Sequence, residues 1–339
     1  MSVKLRKAGR ALVKASAAGA AFYVAAGGVM DYLSLSRHVY NKSHRECTKR
    51  GSKQIAREAA KRASEPVIDK HLPETGRDRV CREAYEWYDA QNIEKVQILN
   101  RNGETIHCRV IRSPYPSELW CVCIHGYTSD PRRMSVYAKE FSARGYNVLL
   151  PVMRGHAESE HAYVSMGWHD RLDAEDWIKY IIKFHPGAQI ILHGISMGGA
   201  TVMMMTGDIL PGNVKCAIED CGYTSVWDEF SEQLKVSYKL PVFPFMFAAN
   251  SIARRGIKLD FKEASSIEQL KKSQTPTLFI HGEEDTFVPF RMLEEVYNAC
   301  AAEKEKLTVP DAVHANSAEV HPDLYWNKVD SFLTKHIEV

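Results

Sequence analysis

From Ile93 onward, short β-branched or apolar runs alternate with longer segments whose apolar positions recur at helical spacing. The runs fall at 94–99, 105–111, 119–124, 146–150, 188–193, 214–219, 276–281 and 305–309, and they predict eight strands. Amphipathic stretches at 132–144, 171–184, 197–208, 290–301 and 322–335 predict helices between most of them. The first two runs are separated by Asn100-Arg101-Asn102-Gly103, and Asn-Gly is a hairpin signal. After that hairpin, strand and helix alternate, which predicts an α/β fold with a mostly parallel eight-stranded sheet and helices on both faces. Residues 223–272 break the rhythm with helical patterns divided by Pro241 and Pro244. Inserted between two strands, they would lie over the strand carboxyl ends, where open α/β sheets bind ligands. The segment reads as a small helical lid, and the plainer alternative is a larger connecting layer of helix.

Composition adds a division of the chain. The 339 residues are 45% hydrophobic and 25% charged, which is enough for a large core and excludes disordered, collagen-like and disulfide-scaffold classes. The net charge of +2 conceals an asymmetry. Residues 1–62 hold fourteen of the 44 Lys and Arg but three of the 42 acids (Asp31, Glu46 and Glu58), giving a +11 arm and a −9 body over 63–339. Such an arm suits either nucleic acid or an anionic membrane. Its sixteen uncharged residues between Lys14 and Asp31, ASAAGAAFYVAAGGVM, favour the membrane. Counted over 11–36, the run reaches the roughly 20 residues a span requires, with Lys14 and Asp31 near its ends. Alanine and glycine insert weakly, so the run admits three readings: a signal-anchor, a cleaved signal peptide or a soluble Ala-rich helix. Membrane association through this segment is the expectation, with a cytoplasmic protein as the alternative and no nucleic-acid partner. Basic residues flank the run on both sides, so the positive-inside rule leaves its orientation open. The eight cysteines show no CxxC spacing, and Cys121 and Cys123 should share one buried face of a strand. This usage points to reduced thiols.

The chemistry sits on three turns. Strand QIILH runs into Gly194-Ile195-Ser196-Met197-Gly198-Gly199, followed by the helical ATVMMMTGDIL. A serine on a sharp strand-to-helix turn holds its hydroxyl above the sheet, and the flanking glycines let strand and helix approach. Such a hydroxyl needs a base, and the base needs an orienting acid. After strand TLFI comes His281-Gly282-Glu283-Glu284-Asp285, in which three carboxylates compete. Asp285 is selected because it stands furthest into the loop, before Val288-Pro289, leaving Glu283 and Glu284 as solvated charges. After strand KLTV comes Asp311-Ala312-Val313-His314, and His314 is the expected base, with His321 the bland competitor. At the end of strand LWCVCI, Gly126 would let the backbone N–H of Tyr127 join that of Met197 in an oxyanion hole.

Residues from about 95 to the end resemble the α/β-hydrolase superfamily, and within it the bacterial hydrolases labelled serine-aminopeptidase-like or lysophospholipase-like. The segments that carry the resemblance are His125-Gly126, LLPVMRGHAES at 149–159, GWHDRLD at 167–173, GISMGG, EDCGYTS at 219–225, HGEEDTFVP and AVHANS. One departure is Ala157, where many relatives carry the second glycine of RGHG. The resemblance implies Ser196 as nucleophile, His314 as base and Asp285 as its orienter, in a serine hydrolase that cleaves carboxylic esters through an acyl-enzyme. It also raises the weight on an N-terminal membrane segment.

No cofactor or metal is expected, because the sequence holds no HExxH, Walker or dinucleotide motif. His125, Gly126, Tyr223 and Trp227 are the expected substrate contacts, and a small acyl ester is the expected ligand. Aromatics crowd 223–247 and would favour an apolar acyl or aromatic group if they face the site. Two alternatives stand beside this reading. One is a peptidase, which would need an anionic patch for a substrate amino terminus drawn from Glu219, Asp220, Asp228, Glu229 and Glu232. The other is an inactive hydrolase scaffold that binds partners at a membrane.

Overall fold

The computed structural model describes residues 76–161 and 163–338. The basic arm expected over 1–62, with its apolar run at 11–36, lies outside the described residues.

All eight expected strands form, each within two residues of the predicted bounds: β1 (Glu94–Leu99), β2 (Thr105–Ile111), β3 (Leu119–Ile124), β4 (Asn147–Pro151), β5 (Gln189–Ile195), β6 (Val214–Asp220), β7 (Thr277–Gly282) and β8 (Lys304–Val309). They make one sheet in the order β1-β2-β4-β3-β5-β6-β7-β8. β2 pairs antiparallel with β1 and β4, and every later pairing is parallel. The β1–β2 hairpin closes on the Asn100 side chain, whose Oδ1 accepts the N–H groups of Asn102 and Glu104, with Gly103 at φ +76°.

Alternation along the central strands divides the core between the two faces of the sheet. Trp120, Val122 and Ile124 of β3 point to one face, with Ile190 and Leu192 of β5. That face is covered by α3 (Asp170–Phe184), through Trp177, Ile178 and Ile181, and by α4 (Met197–Thr206). Cys121 and Cys123 point to the other face, beneath α1 (Gly76–Asp89), α2 (Ser135–Ala143) and α10 (Pro322–His336). The two thiols share a face as their spacing requires. All seven described cysteines are buried and free.

The stretch between β6 and β7 folds as three helices, α5 (Val226–Tyr238), α6 (Val242–Ile257) and α7 (Ser266–Leu270). Ser225 caps α5 by accepting the Asp228 N–H, and Pro241 stands at the entrance to α6. Met246, Ala249 and Ala253 form the buried stripe of α6. After β7 come α8 (Arg291–Ala299), β8, the short α9 (Ser317–Val320) and α10. Every loop that carries predicted chemistry therefore leaves a strand at its carboxyl end.

Candidate active site

Ser196 occupies the turn between β5 and α4 with φ 56° and ψ −116°, a conformation costly for a residue with a Cβ. The surroundings enforce it. Ser196 N–H donates to Asp220 O at 2.8 Å, and Ala200 N–H donates to Ser196 O at 2.9 Å. A Cβ at Gly194 would be driven into the Gly198 carbonyl, and one at Gly198 into the Ile124 carbonyl. A Cβ at Gly199 would lie 3.0 Å from Asp220 O. The glycines two before and two after the serine are thus required by backbone contact across the turn.

The three predicted polar residues meet above β5 to β7. Ser196 Oγ lies 2.8 Å from His314 Nε2, and His314 Nδ1 lies 2.7 Å from Asp285 Oδ2. Asp285 is 4% exposed, and its Oδ1 accepts the backbone N–H groups of Phe287 and Val288 at 2.9 and 3.0 Å. Burial alone would raise its pKa, but the hydrogen bonds from His281 and His314 overcome that and bring it down to about 2. The carboxylate therefore stays ionised and holds His314 as the Nδ1–H tautomer, with Nε2 free to accept from the serine. Glu283 and Glu284 are exposed, as expected. Gly126 packs on the same turn, where a Cβ would lie 3.3 Å from the Ser196 Cβ.

A cavity opens beside Ser196, lined by Tyr127, Met166, Met197, Tyr223, Phe230 and Phe287 among others. Phe287 also packs on the His314 ring at a centroid distance of 4.8 Å. Helix α5 reaches the cavity with Glu229, Phe230 and Gln233. Of the three inserted helices, α5 therefore stands at the site.

The family model described as "Serine aminopeptidase, S33" matches residues 116–233. The uncharacterized protein YqkD of Bacillus subtilis is 24% identical over 222 residues, which cover 65% of this chain and 73% of that one. The lysophosphatidylserine lipase ABHD12 of Xenopus tropicalis is 27% identical over 195 residues, which cover 57% of this chain and 48% of that one. This chain thus aligns with about half the length of ABHD12. Among solved structures, the Pyrococcus furiosus esterase Pf2001 superposes with a TM-score of 0.61 at 21% identity, covering 74% of this chain and 93% of that one. This chain has the α/β-hydrolase fold.

Within this fold, two expected substrate contacts lie elsewhere. His125 is fully buried, its Nδ1–H donating to Gly126 O at 2.9 Å and its Nε2 accepting from Met153 N–H at 3.2 Å. Burial, with His156 nearby, pushes its pKa down to about 3, so the ring is a neutral brace under the Gly126 turn. Trp227 does not line the cavity and stacks edge-on against Phe247 at 5.1 Å, with Lys262 Nζ 4.5 Å from its ring. Tyr223 does line the cavity, and its hydroxyl donates to Met166 O at 3.0 Å.

The motifs at 149–159 and 167–173 now have a physical reading. The Arg154 guanidinium forks onto the Asp173 carboxylate at 2.7 and 2.9 Å, while Arg154 N–H donates to Asp170 Oδ1. This clasp holds His156, whose Nε2 accepts the Thr128 N–H at 3.1 Å. His125 and His156 so fix both sides of Tyr127, whose N–H was assigned to an oxyanion hole. Sequence reasoning missed His281 and Gln233, and it named Glu229 only among five acids for an anionic patch. Only Cys221, Asp285 and His314 place potential metal donors within 4.8 Å of one another among the described residues. Asp285 and the His314 nitrogens are committed to hydrogen bonds, and burial holds the Cys221 thiol protonated, so the set suits no cation.

Proposed function

We propose that this α/β-hydrolase is a serine hydrolase that cleaves carboxylic esters. The observation that carries the reading is the unbroken relay from Ser196 Oγ through His314 to Asp285, at 2.8 and 2.7 Å. In this mechanism Ser196 Oγ attacks the acyl carbonyl while His314 Nε2 takes its proton. The backbone N–H groups of Tyr127 and Met197 stabilise the oxyanion. His314 then protonates the leaving alcohol, and water resolves the acyl-enzyme through the same ring. Asp285 keeps the ring oriented and stabilises its charged form. The hydrolase unit is assigned to 63–339, with 223–272 as its lid.

The anionic groups favour an ester over an aminopeptidase substrate. Glu219 and Asp220 are fully buried beneath the serine turn, and Asp228 receives the hydroxyls of Thr224 and Ser225. Glu232 is paired with Arg291 at 2.9 Å. Glu229 alone of the five lines the cavity, and burial pushes it up to about 8, so it offers little negative charge to an ammonium group at neutral pH.

Fluorophosphonate labelling of the full chain beside Ser196→Ala tests this reading. Labelling of the wild type that vanishes in the variant is expected. A folded wild type that takes up no label would overturn it and favour the binding-scaffold alternative.

We further propose that the enzyme works at a membrane, held by the segment at 11–36. No helix among the described residues is long and apolar enough to cross a bilayer. Support comes from α6, where Phe243 and Phe247 are 72% and 50% exposed and Arg254, Arg255 and Lys258 follow, all exposed. Exposed aromatics beside basic residues suit an anionic lipid surface. Membrane fractions should release the full chain to detergent, and complete release by alkaline carbonate would exclude a span.

A further inference from the structure

The cavity beside Ser196 contains one carboxylic acid whose chemistry the relay does not use. Glu229 is 3% exposed. Its Oε1 accepts from Gln233 Nε2 at 3.1 Å, one helical turn along α5. The same Gln233 Nε2 donates to Phe287 O at 2.9 Å, so both hydrogens of the amide are committed. Glu229 Oε2 is buried without a hydrogen-bond partner.

The charged neighbours of Glu229 are Asp285 and Glu232, both acids. Burial disfavours the ionised form and outweighs the Gln233 hydrogen bond that favours it, and the two acids add to the burial effect. A neutral carboxyl that accepts at Oε1 carries its proton on Oε2, and an O–H buried without an acceptor costs about 1–3 kcal/mol. A substrate oxygen would remove that cost. The surrounding Met166, Met197, Phe230 and Phe287 offer only apolar side-chain contact, and Tyr223 commits its hydroxyl to Met166 O.

We propose that Glu229 is a specificity-determining residue whose Oε2–H donates a hydrogen bond to a second oxygen of the substrate, selecting hydroxyl-bearing esters over plain alkyl esters. The assignment rests on the ester-hydrolase reading and deepens it. Gln233 and the Phe287 carbonyl set the direction of the carboxyl, and thus where the substrate hydroxyl must lie relative to Ser196.

Two matched ester pairs test it on the full chain. 2-Hydroxyethyl butanoate against propyl butanoate places the hydroxyl on the alcohol side. Ethyl 3-hydroxybutanoate against ethyl 3-methylbutanoate places it on the acyl side. The wild type should favour the hydroxyl member of at least one pair by about tenfold in kcat/KM, as one net hydrogen bond implies. Glu229→Leu should bring that ratio close to one, whereas Glu229→Gln, whose amide still donates, should retain most of it. A wild type indifferent to both pairs, or a Glu229→Leu variant with the wild-type ratio, would overturn the subsite. A Glu229→Gln variant that behaves like Glu229→Leu would overturn the neutral donor. Fluorophosphonate labelling of Ser196 in the same preparations separates the two levels. Labelled enzyme with an unchanged ratio sinks only the subsite, while an unlabelled folded wild type sinks the ester-hydrolase reading beneath it.

Discussion

His281 Nε2 lies 3.3 Å from Asp285 Oδ2, the same oxygen that receives His314 Nδ1–H at 2.7 Å. The same Nε2–H is shared with Val288 O at 3.0 Å, and the His281 and Asp285 side chains are completely buried. One carboxylate oxygen is thus steadied from a second side, by a residue at the end of β7 that does not touch the substrate cavity.

If the proposed relay operates, His281 acts in it as a positioning residue. His281→Phe removes a hydrogen bond to a charged acceptor, worth about 1.5–3 kcal/mol, and should lower kcat roughly 10- to 100-fold with KM little changed. His281→Gln, which can still donate, should recover part of the loss. If both variants lose only thermal stability and keep the wild-type kcat, the histidine serves the fold alone.

The acid itself is open to a direct comparison. Asp285→Asn should leave the protein folded but lower kcat by about 10³- to 10⁴-fold, because the amide favours the wrong imidazole tautomer. Glu284→Gln should be near neutral, since Glu284 is exposed. Steady-state rates of the two variants on one activated ester decide the matter. A fully active Asp285→Asn beside an inactive Glu284→Gln would reverse the assignment.

What was legible from sequence follows from which signals are local. Apolar runs and glycine spacing are local, so the strands and the Ser196 turn could be placed, and the loops after two later strands supplied Asp285 and His314. Side-chain direction across elements is not local. Trp227 and Phe230 lie three residues apart on α5, yet one packs on Phe247 and the other lines the cavity. His125 read as a contact because it adjoins the loop, and only the tertiary fold shows that Met153 N–H occupies its Nε2. Glu229 could not be told from the four other acids grouped with it, because nothing in a helical pattern tells that its side of α5 meets Phe287 at the cavity.

Ala157 takes φ +40°, in the region where glycine is favoured. Ala157→Gly should relieve the strain, and after the greater chain entropy of glycine is deducted it should stabilise the fold by about 0.5 kcal/mol. A higher urea midpoint with an unchanged slope is expected. A lower midpoint would mean that the alanine methyl makes contacts that outweigh the strain.

Glu229 also makes stability depend on pH in a direction that can be worked out. Its pKa rises from an ordinary 4.5 to about 8, through burial first, opposed by the hydrogen bond from Gln233 and then reinforced by the nearby Asp285 and Glu232. Between those values the folded chain holds a proton that the unfolded chain has lost. Stability from this group is therefore full below about pH 4.5 and falls as pH rises toward 8, by up to about 1.4 kcal/mol per pH unit. Glu219, also raised to about 8 by burial, adds to the same trend, so the wild-type slope alone does not isolate Glu229. Glu229→Gln removes one titration and leaves the other. Its stability relative to wild type should climb steadily from pH 5 to 8 in parallel urea titrations. A difference that stays flat across that range would mean that Glu229 is ionised in the folded protein, and the hydrogen-bond donor assigned to it would be lost with it.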